Sequence, residues 1–158
     1  MTRVSARASG GDQTYGVYNS SAEVVMLDVD AAGSDATTRN VGIYGTFTST
    51  LTMTRVVAAA SGAAPSNYGI YNASSSSATM RQVTVEAANA AVDGYAYGIY
   101  NNASALTLDN SQVSASLEST GICYGGYNVA AAGSFTVAIN GSRIAGSTFT
   151  IRSDSEFT

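Results

Sequence analysis

Tyr68-Gly69-Ile70-Tyr71-Asn72 is one of five versions of a single pentapeptide. The others are Tyr15-Gly16-Val17-Tyr18-Asn19, Val41-Gly42-Ile43-Tyr44-Gly45, Tyr97-Gly98-Ile99-Tyr100-Asn101 and Tyr124-Gly125-Gly126-Tyr127-Asn128. Their glycines lie 26, 27, 29 and 27 residues apart, and nine of the chain's ten tyrosines fall inside the five blocks. A near-constant period of this size marks a repeat architecture and sets the frame for every other residue.

Outside the pentapeptides a second register runs through Met26 to Val29, Met53 to Val56 and Met80 to Val83. Alternating runs follow, such as Val83-Thr84-Val85-Glu86-Ala87, with looser equivalents at Leu106-Thr107-Leu108 and Phe135-Thr136-Val137-Ala138-Ile139. Met1-Thr2-Arg3-Val4 repeats Met53-Thr54-Arg55-Val56, and Ser147 to Arg152 alternates again. The chain therefore reads as a single domain over 1–158, a segment of a longer repeat protein that starts and stops inside a unit. The runs Ala58 to Ser66, Ala87 to Gly94 and Ser116 to Gly121 carry the length differences between units; the only proline, Pro65, lies in the first.

Apolar and small polar residues alternate with period two, in runs rich in Val, Ile, Thr and Tyr and bounded by Gly, Ser, Asn and Asp, which is a strand signal. Helical repeats would show a 3.6-residue period. Three short strands per unit with small-residue turns describe one coil of a β-solenoid, so the expected class is all-β, with five to six coils. The Tyr-Gly-Ile-Tyr-Asn blocks, each followed by a Ser-rich turn and a Val-Thr-Val-like strand, resemble the repeats of right-handed parallel β-helix proteins of the pectate-lyase-like group. That resemblance covers about residues 1 to 152. It implies a right-handed parallel β-helix of bacterial secreted or surface type. It does not fix an activity, because the fold carries lyases, hydrolases, tailspikes and adhesins alike.

Composition narrows the chemistry. The 158 residues are 45% apolar and 11% charged, against roughly a quarter charged in an average domain. All seven basic residues are Arg, the acids number 11, and the net charge is −4. That balance argues against nucleic acid and against anionic membrane surfaces, which need basic patches. No apolar run has the length of a membrane span. With no His, triad catalysis and His-ligated metal sites are excluded; a single Cys123 excludes an internal disulfide framework and a Cys-cluster zinc site. Cys123 reads as a buried, inert thiol. The N-glycosylation patterns at Asn19, Asn72, Asn102 and Asn140 arise readily in a Ser- and Asn-rich repeat. No cofactor fingerprint is present.

Stacked coils turn equivalent residues into columns about 4.8 Å apart. With Ile70 facing inwards, strand alternation places Tyr68 inside and Gly69 and Tyr71 outside. The expected inner aromatic column is Tyr15, Tyr68, Tyr97 and Tyr124, with Val41 substituting once. The expected outer column is Tyr18, Tyr44, Tyr71, Tyr100 and Tyr127, beside a glycine trough of Gly16, Gly42, Gly69, Gly98 and Gly125. Asn19, Asn72, Asn101 and Asn128 form an amide stack in a turn, broken by Gly45. Exposed tyrosines suit binding because they offer area at low entropic cost and a polar tip. The outer column is thus the candidate binding face, for polysaccharide or for a protein surface.

The pentapeptide strands carry no Asp, Glu or Arg. This departs from the enzymes of the resembled group, where acids and a basic residue line the outer face. Asp28 and Asp30 lie two apart and raise a cation site as a question; repeat alignment instead places Asp28 between Arg3 and Arg55, as an ion-pair ladder that holds register. No catalytic or metal residue is assigned. The favoured reading is a non-enzymatic segment of an extracellular, adhesin-like surface protein. The alternatives are a fragment of a polysaccharide lyase or glycoside hydrolase, and a self-assembling structural unit. No capping helix is visible, so self-association through uncapped ends is expected.

Overall fold

The computed structural model describes residues 3–74, 76–88, 90–118, 120–129 and 137–154. Met1 and Thr2 of the opening repeat, and Phe135 and Thr136 of the late strand, lie outside the described residues. The strands, numbered in chain order, form three parallel sheets. The first contains β1 (Val4–Ser9), β4 (Val29–Ser34), β7 (Val57–Ser61), β10 (Thr84–Ala88), β13 (Gln112–Ser116) and β16 (Arg143–Gly146). The second contains β2 (Gln13–Ser20), β5 (Arg39–Thr46), β8 (Ser66–Ala73), β11 (Gly94–Asn102), β14 (Gly121–Val129) and β17 (Phe149–Ser153). The third contains β3 (Glu23–Leu27), β6 (Thr50–Thr54), β9 (Ser77–Arg81), β12 (Ala105–Asp109) and β15 (Val137–Asn140). The chain visits the sheets in rotation, and each strand pairs with its equivalent one coil on. This is a β-solenoid of about five turns, as the repeat period predicts.

Register follows the repeat residue by residue. Met26 pairs with Met53 and Met53 with Met80, then Met80 with Leu108 and Leu108 with Ile139. Ile43, Ile70 and Ile99 form a second interior column. All of these but Ile139, which is exposed at the end of its column, join Leu51, Val56, Val83, Val85 and Val113 in one core that runs along the axis. A single coil has no second layer to bury its apolar face, so this core exists only between coils.

The corners fix the path. Asp28, Arg55, Gln82, Asn110 and Gly141 follow the third-sheet strands with φ of 55°, 52°, 54°, 46° and 55°. The left-handed conformation turns the chain in one residue, and Asn and Asp adopt it at small cost. The corner amides stay satisfied: Asp28 N donates to the Thr54 carbonyl at 3.2 Å, and Arg55 N to the Arg81 carbonyl at 3.1 Å.

Candidate functional site

Alternation fails at the pentapeptide. Asn67, Ile70 and Asn72 are fully buried. A Cβ on Gly69 would meet the Glu86 carbonyl oxygen at 3.0 Å and the Gly98 carbonyl oxygen at 2.7 Å, with the Val85 side chain closer still. Gly69 therefore faces β10 across the interior, and two consecutive residues, Gly69 and Ile70, point inwards. A glycine marks such a bend because the opposing backbone leaves no room for a side chain. Gly16, Gly42, Gly98 and Gly125 likewise abut the first-sheet strand that follows them. The glycine column is thus an interior contact, not an outer trough.

The bend also turns Tyr68 outwards, onto the same face as Tyr71; the two rings meet edge to face at 5.1 Å. The expected inner aromatic column is therefore on the outside. Its row reads Tyr15, Val41, Tyr68, Tyr97, Tyr124, Phe149 in register. Beside it runs Tyr18, Tyr44, Tyr71, Tyr100, Tyr127, Arg152. The interior, narrow and filled by Ile, Met, Leu and Val, has no space for phenols.

Rings stack face to face along each row: Tyr68 on Tyr97 at 4.9 Å and 4°, Tyr97 on Tyr124 at 5.2 Å and 10°, Tyr71 on Tyr100 at 4.8 Å and 17°. Edge contacts tie the rows together, and Tyr95 joins through Tyr97, so all ten tyrosines belong to one network. The stacking consumes the ring faces. Tyr97 and Tyr124 are 8% and 4% exposed, whereas Tyr18, the first of its row, is 55% exposed. Burial raises the phenol pKa values of Tyr68, Tyr71, Tyr97 and Tyr100, that of Tyr71 to about 12.

Two arginines complete the face. Val41 leaves a gap in the first row, and the Arg39 guanidinium lies over it, 5.8 Å from the Tyr15 and Tyr44 rings and 5.7 Å from Tyr71. Arg39 Nη2 donates to Gln13 Oε1 at 2.7 Å and to the Tyr15 hydroxyl oxygen at 2.8 Å. At the other end Arg152 lies over Tyr124 and Tyr127 and donates to the Tyr124 hydroxyl oxygen at 3.1 Å. The Tyr127 hydroxyl donates to Asp154, which pushes its pKa up to about 12.

The asparagine stack forms where the repeat is intact. Asn72 Nδ2 donates to Asn101 Oδ1 at 2.9 Å, and Asn101 Nδ2 to Asn128 Oδ1 at 2.8 Å. Asn19 is cut off by Gly45 and caps its own turn, donating to the Ala22 carbonyl at 2.8 Å. A second polar column went unread in the sequence: Thr14 Oγ1 donates to Asn40 Oδ1 at 2.7 Å, and Asn40 Nδ2 to Asn67 Oδ1 at 2.9 Å. Its signal was the equal spacing of these three residues from their glycines. Ala96 and Cys123 continue the column in apolar form, and Cys123 is a buried free thiol.

The acid pair divides between two guanidinium groups. Arg55 binds Asp28 with both oxygens, at 2.7 and 2.8 Å, and its hydrogen bonds hold the Asp28 carboxyl below the usual carboxylate range. Arg3 pairs with Asp30 rather than with Asp28, so the expected three-membered ladder is two separate pairs. No cluster of three metal-ligating side chains occurs among the described residues.

Comparison with protein-family models finds no match for this chain. Neither the curated proteins nor the solved structures provide one.

Proposed function

We propose that this chain is a non-enzymatic β-helix segment of a secreted or surface protein of the pectate-lyase-like type, and that its tyrosine face binds a linear glycan. The observation that carries the reading is the gathering of all ten tyrosines on the outer side of one sheet. Interior packing does not need them there. A row of phenols edged by two arginines offers hydroxyl donors and acceptors at one-coil intervals over an apolar base. Because the faces are spent on stacking, a sugar chain would meet ring edges and hydroxyls and lie along the axis. Its recognition would be mainly hydrogen bonding, with ring-face contact at exposed rings such as Tyr18 and Phe149, which end the two rows.

A glycan-array screen tests this with three proteins: the wild type, Tyr71→Phe with Tyr100→Phe, and Tyr71→Ala with Tyr100→Ala. Binding by the wild type and its loss in both variants is the expected result. Silence of the wild type across polysaccharide classes removes the glycan reading; equal binding by all three moves the site off the tyrosines. Self-association belongs to the same proposal. Its support is that the core-column residues Val4, Ile139 and Ile151 are 55%, 38% and 44% exposed. Light scattering across a concentration series is expected to give a rising mass, and a constant monomer mass rejects the idea.

A further inference from the structure

The tyrosine rows bear on a second kind of chemistry, independent of any glycan. We propose that the row Tyr18, Tyr44, Tyr71, Tyr100 is an oxidative cross-linking site, at which phenols of adjacent coils couple ring to ring when a small one-electron oxidant is supplied. Tyr18 and Tyr44 lie 5.1 Å apart with planes 9° from parallel, Tyr44 and Tyr71 5.0 Å and 21°, Tyr71 and Tyr100 4.8 Å and 17°. In-register parallel rings set like carbons opposite like, so the carbons ortho to the two hydroxyls face each other. Holding both partners in this arrangement makes the coupling intramolecular and removes the entropic cost of encounter.

Tyr18, at 55% exposure, is the point of entry for the oxidant. The Arg39 guanidinium beside Tyr44 and Tyr71 opposes a cationic ring, so each electron leaves together with the hydroxyl proton. Each of two neighbouring phenols gives one electron to the oxidant and one proton to water, leaving two phenoxyl radicals. The radicals join through one new carbon–carbon bond between ortho carbons. The two ortho hydrogens are lost from carbon as the hydroxyls are restored. The net change is two tyrosines to one dityrosine, two protons and two electrons, the electrons carried off by the oxidant. The product staples one coil to the next.

The chain contains its own assay. Arg39, Arg55 and Arg81 separate the blocks, so trypsin releases Tyr18 in peptide 8–39, Tyr44 in 40–55, Tyr71 in 56–81 and Tyr100 in 82–143. Dilute native protein is oxidised with light, tris(bipyridine)ruthenium and persulfate, then unfolded, digested and mapped by mass spectrometry beside dityrosine fluorescence. Linked pairs of consecutive peptides, each lighter by two hydrogens, are expected. Peptide 40–55 contains no other tyrosine. Tyr44→Phe, which keeps the ring stack, therefore loses both links to 40–55 and retains the link between 56–81 and 82–143. Three results overturn the proposal: oxidised native protein without inter-peptide links, equal link yields from urea-unfolded chain, or links to 40–55 that survive Tyr44→Phe.

Discussion

Gly45 shows how one side chain propagates through a column. A Cβ there would stand 2.6 Å from Leu51 Cδ1, so Leu51 occupies the space an asparagine would fill. The amide ladder accordingly starts at Asn72, whose Oδ1 is buried without a hydrogen-bond partner. An interrupted ladder leaves its first acceptor unpaired, and the cost falls on the intact coils. Asn101 is the middle rung, donating also to the Ser104 carbonyl at 2.7 Å. Asn101→Ala removes three hydrogen bonds from a buried turn, those to Asn72 Nδ2, the Ser104 carbonyl and Asn128 Oδ1, and each contributes about 0.5–1.5 kcal/mol. A lower urea midpoint with an unchanged slope is the expected result. Gly126 is the opposite case. It occupies the isoleucine column between Ile99 and Ile151, and a Cβ there would meet nothing closer than 3.9 Å. It borders an apolar gap lined by Ile99, Leu108, Ile144 and Ile151. Gly126→Ala is expected to stabilise by about 0.5–1 kcal/mol, the usual strand difference between the two residues, read as a raised denaturation midpoint.

The pentapeptide strands differ from ordinary ones through a single residue. In β8, Asn67 points in and Tyr68 out, Gly69 and Ile70 both point in, and Tyr71 points out. The extra inward step sends both tyrosines to one face and brings the glycine onto β10. A face of stacked phenols has a pH signature. The folded pKa values of Tyr68, Tyr71, Tyr97 and Tyr100 lie above the ordinary tyrosine value of 10.0, so above pH 10 the native state holds protons that the unfolded chain has released. The stability they contribute is complete below pH 10 and falls as the pH rises through the folded value of Tyr71, about 12. Unfolding and phenolate absorbance are therefore expected to rise together in that window. Full titration of the tyrosines in a still-folded protein would falsify this account of the face. The Asp28–Arg55 pair acts at the other extreme: its contribution is present above the ordinary carboxylate pKa and is lost as the pH falls through the lowered value.

Along the axis each coil touches only the one before and the one after, and stability is close to a sum of coil and interface terms. Because Val57 and Thr84 share a register position, removing residues 57–83 joins Val56 to Thr84 without a change of phase. Strand β4 then meets β10 where β7 stood. The shortened protein is expected to keep its β-type circular dichroism and a cooperative transition at a lower midpoint. An otherwise identical deletion one residue longer reverses the alternation of in and out along β10 and is expected to abolish both. The deletion also removes Tyr68 and Tyr71, bringing Tyr44 against Tyr100, so the second row of rings stays continuous.

The period, the class and the identity of the columns were legible in the chain itself. Side chains one repeat apart must stack when a unit closes into a coil, and Met26, Met53 and Met80, or Asn72, Asn101 and Asn128, need only be counted to be placed. The separation of Asn19 from its equivalents was legible at Gly45 for the same reason. The outward row of Tyr71 and its equivalents was legible too; which way Tyr68, its equivalents and the glycines point was not. Strand alternation is a local rule, and it fails where Gly69 presses against a strand some sixteen residues further along the chain. The pairing of Arg3 with Asp30, and the filling of the Val41 gap by Arg39, are likewise choices among neighbours that only the closed coils bring within reach. A one-dimensional period determines which residues are neighbours along the axis; the contacts across each coil, between sheets far apart in sequence, decide the face each residue presents.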